Sequence, residues 1–299
     1  MALDFPDNAF PVPSQYAHDY ARRVESGFGR MRNRRVVIAG LVRNAIDVLP
    51  ATIERIEQLG KHFADYWVVV GENDSDDGTT EMLQTWAESN CRVVLLSETL
   101  GDAVNEKTRC PQRGDRMARY RNQYLHLIAE RFADLDSVIV VDMDLPGGWS
   151  EAGVANTFGW DDWDFVGSNG VVVQRNRWRL NRQFQYDTWA FRRQGSFDQM
   201  NNELVNLYSW RRGEPLEEVY SCFGGLGVYR MPAILSAEYA GGDCEHIALH
   251  RDMRTAGYSQ TFMNPSQLVL YGRLPKRLDR YVRALNTAVY ACTGIRAPA

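Results

Sequence analysis

The sequence predicts an α/β protein, with a mixed, mostly parallel sheet covered by helices on both faces. Three observations predict it. Short, continuous apolar runs rich in β-branched residues recur ("VVIAGLV", "YWVVVG", "CRVVLL", "SVIVVD"), as strands buried on both faces require. Amphipathic stretches of helical period separate these runs. Several runs end in polar residues (Arg-Asn, Glu-Asn-Asp, Asp-Met-Asp), where α/β sheets bind ligands beyond the carboxyl ends of their strands.

Taken in order, residues 1–34 are mixed, with a helix expected in "QYAHDYARRVESGFGRMR". A strand starts in "RRVVIAGLVRN", a helix follows in "LPATIERIEQLGKHF", then a strand in "YWVVVGEND" and a helix in "TTEMLQTWAES". "CRVVLLSE" is the third strand, "RGDRMARYRNQYLHLIAERF" a longer helix and "SVIVVDMD" the fourth strand. After Pro146 tryptophan, tyrosine, glycine and arginine become dense, and the elements look shorter. A late helix, "CEHIALHRDMRTAG", runs to Gly257 as a C-cap, and a strand-like "YSQTFMNP" follows. The tail "LPKRLDRYVRALNTAVYACTG" reads as a separate amphipathic helix. With no repeat and no Gly/Ser linker, the expected organisation is a partly helical extension over 1–34, one domain over 35–272 and a tail helix over 273–299.

Composition narrows the function. At 299 residues, 44% hydrophobic and 24% charged, the chain reads as an ordinary globular protein. Its net charge of −4 provides no bulk attraction to nucleic acid or anionic lipid, so an anionic ligand must be held by a local basic cluster. No run of about 18 apolar residues occurs, and "MALDFPDNAFPVPSQY" lacks the pattern of a secretory signal. The five cysteines are scattered without CxxC spacing, which suits a reducing cytoplasm rather than a disulfide framework.

Two acidic stretches carry the chemistry. "ENDSDDGT" is made of turn formers, and Asp77 or Thr79 can simply cap the next helix. Carboxylates there, Glu72 and Asp74, can also accept hydrogen bonds from a nucleobase or a ribose. In "VVDMD", Asp142 and Asp144 repel each other unless a cation lies between them. Mg²⁺ or Mn²⁺ fits, since both favour oxygen ligands shared with substrate phosphates. The rivals are a polar turn and a phosphatase loop with Asp142 as nucleophile. The phosphatase motif usually continues in Gly-Thr after a first strand, whereas Leu145 and Pro146 follow here. Upstream, "RGDRMARYRN" gathers Arg113, Arg116, Arg119 and Arg121. Arg116 and Arg119 share a helix face, with Arg121 and Asn122 on another. Some of these simply face solvent, but a focal basic cluster beside an acidic pair suits a diphosphate.

The order "ENDSDDGT", "ARYRN", "DMD" and an acid-led helix ending in "AGY" resembles the GT-A glycosyltransferases over roughly residues 35–265. "YDTWAFR", "VYSCFGGLGVYR", "VVIAGLVRNAIDVLP" and "CEHIALHRD" are further similar to the fungal capsule-associated α-mannosyltransferase family (cryptococcal α-1,3-mannosyltransferases). The resemblance implies a GT-A type α/β/α sandwich with a Rossmann-like half, residues 35–145 binding the nucleotide-sugar and 146–272 serving the acceptor. It implies metal-dependent transfer of a hexose, with mannose from GDP-mannose and retention of configuration leading and UDP-sugars as the alternative donors. By the same resemblance, Asp142 and Asp144 hold Mn²⁺ or Mg²⁺, Asp144 being the more direct ligand. Ala39, Arg43, Asn44, Glu72, Asp74, Arg116, Arg121, Asn122, Asp142 and Met143 border the donor. Glu245 matches the first acid of a Glu-Asp pair on the acceptor side. His246 replaces the second, which weakens an inverting mechanism and agrees with a retaining one.

His250, one turn beyond His246, is the expected late metal ligand, with His246 the other option. Asp187 in "YDTW" is the candidate for binding two sugar hydroxyls. Trp149, Trp160, Trp163, Trp178 and Trp189 are mostly packing residues by default, and Asp252 a surface charge. "FGGLG" permits close backbone approach to a ligand or marks a bend. The expected partners are a nucleotide-sugar donor and a saccharide or glycolipid acceptor, with no nucleic acid, in polysaccharide biosynthesis. The tail helix can dock on the core, on a second subunit or on a membrane surface; Lys276, Arg277, Arg280 and Arg283 leave the last open, although simple docking is the commoner outcome. A DxD phosphohydrolase and a non-catalytic sugar-nucleotide or glycan-binding protein, with His246 as decay of the site, are the competing functions.

Overall fold

The computed structural model describes residues 5–104, 108–175 and 181–274. Along the chain a single 3-10 turn precedes α1 (Ser14–Met31), β1 (Arg35–Val42), α2 (Leu49–Gly60), β2 (Asp65–Asn73), α3 (Thr79–Ser89) and β3 (Val93–Glu98). Next come α4 (Pro111–Arg131), β4 (Ser137–Asp142), α5 (Glu151–Phe158), β5 (Phe165–Arg175), β6 (Asn181–Gln185) and β7 (Arg192–Arg193). The remainder is α6 (Asn202–Val205), β8 (Glu217–Ser221), β9 (Leu226–Arg230), α7 (Met231–Ile234), α8 (Glu245–Thr255) and β10 (Thr261–Leu270).

The strands form one mixed sheet in the order β3-β2-β1-β4-β9-β5-β10-β8-β7, with β6 paired to β5. β1 pairs in parallel with β2 and β4, β2 with β3, and β5 with β10, whereas β9 is antiparallel to both β4 and β5. This is the α/β/α sandwich expected from the sequence. Alternation along each strand divides the core. Val37, Ala39, Val138 and Val140 pack beneath α4 and α8, while Val36, Ile38, Ile139 and Val141 pack beneath α2, α3 and α5. Such continuous burial explains why these strands read as unbroken apolar runs.

The expected helix near the N-terminus is α1, and it lies against α5 so closely that the two backbones nearly touch at Gly27. Asp7, Arg212 and Ser150 tie the same end down: Arg212 Nη2 meets Asp7 Oδ1 at 2.6 Å and Ser150 Oγ at 2.8 Å. Residues 5–34 therefore pack as part of the same body.

Gly257 closes α8 as expected. It sits at φ +101°, with its N–H on the Arg254 carbonyl and the Tyr258 N–H on that of Met253. β10 runs further than "YSQTFMNP", through to Leu270. The polar "NPSQ" hid the continuation. Those residues are buried at a register shift between Asn264 and Leu268, where Asn264 donates to Thr157 Oγ1 (2.8 Å) and Gln267 to Ser168 Oγ (2.9 Å). Among the described residues no helix is long and apolar enough to cross a membrane. The expected tail helix beyond Leu274 and Trp178 lie outside the described residues.

Candidate functional site

β1, β2 and β4 run in parallel, so their carboxyl ends reach the same edge, with Leu41 of β1 beside Asp142 of β4 and Val42 beside Glu72 of β2. Asp142 ends β4 where antiparallel β9 begins, and its N–H donates to the Gly225 carbonyl at 2.9 Å. Gly224 and Gly225, at φ +66° and +88°, make the turn that carries the chain over this point. "FGGLG" is therefore a bend at the site.

Around Asp142 the structure assembles side chains from four distant segments. The Tyr186 hydroxyl donates to Asp142 Oδ2 at 3.0 Å, and Arg121 Nη2 of α4 lies 3.5 Å from Oδ1. Arg121 Nε donates to Glu245 Oε1 at 2.8 Å, and its Nη1 to the Tyr124 hydroxyl at 3.2 Å. The guanidinium lies between Phe223 and Tyr239, 5.2 and 5.7 Å from their ring centres. Glu245 opens α8, where the helix N-terminus favours a negative charge. A buried cation thus bridges an acid of β4 and an acid of α8.

Asp187, at φ +57°, joins this cluster. Burial first, then the charges of Asp142 and Glu245, push its carboxyl up from 3.8 to about 8. Burial, opposed by Arg121 and reinforced by Asp144, raises Asp142 to about 7. Beside Asp187 lies a partly open pocket, walled by Phe191, Trp210 and Phe223, with Gln185 and Thr188 at its polar side. Arg109 pairs with Thr188 at its edge.

A divalent cation fits the Asp142–Asp144 pair. Both are hard oxygen donors, Asp144 is exposed, and Asp142 already has its second oxygen oriented by a hydroxyl. Among the described residues no group of three or more His, Cys, Asp or Glu is placed to hold a metal ion.

Other expected site residues lie elsewhere. His250 is no metal ligand: it is fully buried, Nδ1 meets Ser221 Oγ at 2.8 Å, and Nε2 meets the Tyr229 hydroxyl at 3.1 Å. Burial lowers it to about 3, so the ring is neutral. His246 lies beneath the site, 1% exposed, stacked on Phe223 at 4.1 Å with both ring nitrogens lacking a hydrogen-bond partner. Burial, then Arg121 and His250, hold it far below the usual histidine range. Ala39 is fully buried within β1 under α4, because it lies inside the strand rather than at its end. The Met143 side chain is 1% exposed over Gly40, and its carbonyl accepts from Thr52, so it points into the core. Asn122 faces away from Asp142, its amide exchanging two 2.9 Å bonds with the Tyr239 main chain.

The second strand end serves the loops. Asp74 accepts the N–H groups of Leu100 and Gly101 (both 2.9 Å) and Asp102 (3.2 Å), pinning the loop after β3. Glu72 accepts from Ser75 N (2.9 Å) and Ser97 Oγ (2.6 Å). Asn44, at φ +52°, accepts the Asp76 N–H, and Arg43 donates to the Ala103 carbonyl. Asp77 accepts from Ile46 N and Thr79 N in the turn. Gly78 is the N-cap of α3 and no side chain caps that helix, so neither Asp77 nor Thr79 is the expected cap. Arg119 pairs with Asp102 at the surface, Arg113 lies over Trp189, and Arg116 is half-buried on α4. Asp252 pairs with Arg251 on the surface. Trp149 and Trp163 are core residues, and Trp160 lies under Arg23 of α1. Tyr186, Tyr124, Tyr239 and Arg109 were missed, since nothing local marks one tyrosine or arginine among many.

No protein-family model and no curated protein matches the chain. Solved structures similar to it include the mannosyltransferase PcManGT from Pyrobaculum calidifontis in complex with GDP-Man and Mn²⁺ (14% identity, TM-score 0.49, covering 95% of this chain and 75% of that one). Another is glucosyl-3-phosphoglycerate synthase from Mycobacterium tuberculosis in complex with Mn²⁺, uridine-diphosphate and glucosyl-3-phosphoglycerate (13%, 0.45, 91% and 85%). A third is S. aureus TarS (11%, 0.45, 79% and 60%), of which this chain thus spans under two thirds. At such identities and TM-scores the likeness is distant.

Proposed function

We propose that this chain is a metal-dependent glycosyltransferase of the GT-A type that moves a hexose from a nucleotide-sugar to a saccharide or glycolipid acceptor. The carrying observation is the Asp142 carboxylate at the end of β4, next to Asp144, joined through Arg121 to Glu245. A strand-end acidic pair with a buried arginine behind it suits a site where a diphosphate departs. The sequence resemblance makes mannose from GDP-mannose, with retention, the first donor to test.

When bound to Asp142 and Asp144, Mn²⁺ or Mg²⁺ supplies charge neutralisation for the leaving diphosphate. The chain's own residues do the rest. Tyr186 and Arg121 hold Asp142, and Arg121 offsets the charge of Glu245. Glu245 is 4% exposed and engaged by Arg121, so Asp187, at the pocket, is the acid that meets sugar hydroxyls. The aromatic walls exclude water and face the apolar side of a ring. As the bond from the anomeric carbon to phosphate breaks and that to the acceptor oxygen forms, the acceptor proton passes to the departing phosphate. No protein base is required.

The test is a panel of sugar nucleotides with Mn²⁺ or Mg²⁺, reading thermal shift and released nucleotide. One donor should stabilise the protein and release nucleoside diphosphate, and Asp144→Asn should reduce release by at least about 100-fold. A UDP-sugar preference removes mannose from GDP-mannose and keeps the fold-type assignment. Binding without turnover makes the chain a sugar-nucleotide binder, and a phosphoenzyme on Asp142 makes it a phosphohydrolase.

A further inference from the structure

The Asp142 carboxylate is oriented by contacts that neither its own strand nor the acidic pair supplies. We propose that Tyr186 and Tyr271 are positioning residues for this carboxylate, with Gly225 leaving room for the Tyr186 ring. The proposal rests on the metal reading of the Asp142–Asp144 pair.

The Tyr186 hydroxyl donates to Asp142 Oδ2 at 3.0 Å, the oxygen opposite the one that Arg121 approaches. The Tyr186 ring is itself fixed. Tyr271, just past the end of β10, stacks on it with centroids 4.5 Å apart and planes 7° from parallel. A Cβ on Gly225 would lie 3.1 Å from Tyr186 Cε1, so any side chain there would press on the ring. The Gly225 carbonyl also accepts the Asp142 N–H at 2.9 Å, so one glycine sets both the acid's backbone and the space for the phenol. Segments far apart in sequence thus fix one acid: Tyr186 holds its oxygen, Gly225 its main chain, and Tyr271 the ring of Tyr186. Hydrogen bonds to a ligating carboxylate fix its direction toward a metal, and removing such a partner typically costs about 10–100-fold in metal affinity.

Mn²⁺ binding to the full chain, with and without GDP or UDP, read from the electron paramagnetic resonance of free Mn²⁺, tests this. Tyr186→Phe keeps the ring and loses the hydroxyl, and should weaken Mn²⁺ about 10–100-fold with an unchanged thermal midpoint. Tyr271→Ala should weaken it several-fold, and Tyr271→Phe, which keeps the stack, should restore it. If Tyr271→Ala fails to fold, Tyr271→Leu takes its place. Wild-type affinity in Tyr186→Phe overturns the proposal, and so does a Tyr271→Phe as weak as the variant without the ring. Asp144→Asn separates this from the parent reading. If Asp144→Asn binds Mn²⁺ as the wild type does, the acidic pair is no metal site and both ideas fall. If it loses Mn²⁺ while Tyr186→Phe does not, the positioning role alone fails.

Discussion

Asp142, Asp187 and Glu245 crowd around the Arg121 guanidinium, and burial makes that crowding costly. The cost has a definite pH signature. Asp142 and Asp187 are raised from 3.8 to about 7 and about 8, so the folded protein keeps protons that the unfolded chain has already released. For these two acids folding binds protons, and their contribution falls as pH rises toward 8. The buried neutral His246 and His250 act in the opposite sense below the ordinary histidine value of 6.5, so the net fall lies above it. The metal-free protein should therefore melt at progressively lower temperature from the histidine value of 6.5 up to about 8 in the presence of chelator. Asp187→Asn cannot ionise, so its melting curve should fall less with pH and should lie above wild type beyond pH 8. An Asp187→Asn curve parallel to wild type would remove Asp187 from this account. His250 carries the opposite charge logic: neutral, bonded at both nitrogens and buried, it holds Ser221 to Tyr229 and serves the core.

At the scale of elements, helix ends and close approaches decide what the site can be. α4 brings Arg121 inward on one face and sends Asn122 to clamp Tyr239 on another, so adjacent residues of one motif do different work. α8 presents Glu245 at its first turn and buries His246 and His250 behind it, because the helix lies on the sheet along that face. α1 illustrates how contact overrides propensity. It contains Gly27 and Gly29, and a Cβ on Gly27 would come 1.7 Å from the Ala155 carbonyl oxygen, whereas one on Gly29 would meet nothing within 4 Å. Gly29→Ala should stabilise by about 0.5–1 kcal/mol through helix propensity. Gly27→Ala should cost about 1–3 kcal/mol, because α1 must lift from α5. Urea midpoints of the two variants check this; equal and favourable shifts would mean α1 does not dock as described.

At the scale of the molecule, one sheet runs through both halves of the chain. β9 sits between β4 and β5 and joins them by antiparallel pairing, and one core cluster extends from Val37 and Val140 to Phe223 and Met263. Neither half can unfold without exposing the other's core. Thermal unfolding without metal should thus be a single transition, with coincident far-ultraviolet dichroism and tryptophan fluorescence. Two separated transitions would show that the halves at 145/146 are independent units.

Much of the first half was legible because parallel strands buried on both faces must be continuous apolar runs, and each helix between them needs a wet face. That logic located β1 to β4, α2 to α4 and the acidic pair at the end of β4 from local pattern alone. It failed where packing is polar or long-range. "NPSQ" reads as a loop yet completes β10, since its amides find partners on α5 and β5. Ala39, Met143, Asn122 and His250 sit within or beside the right motifs, but which way a side chain turns depends on what packs over it. The sequence by itself determined the order of strands and helices to β4 and placed two aspartates at a strand's carboxyl end. Only the tertiary structure decided that Arg121, Glu245, Asp187 and Tyr186 meet there, and that the histidines do not. Hydrophobic period is a local property of the chain, whereas charge compensation in a buried site is settled by residues that are neighbours only once the sheet has formed.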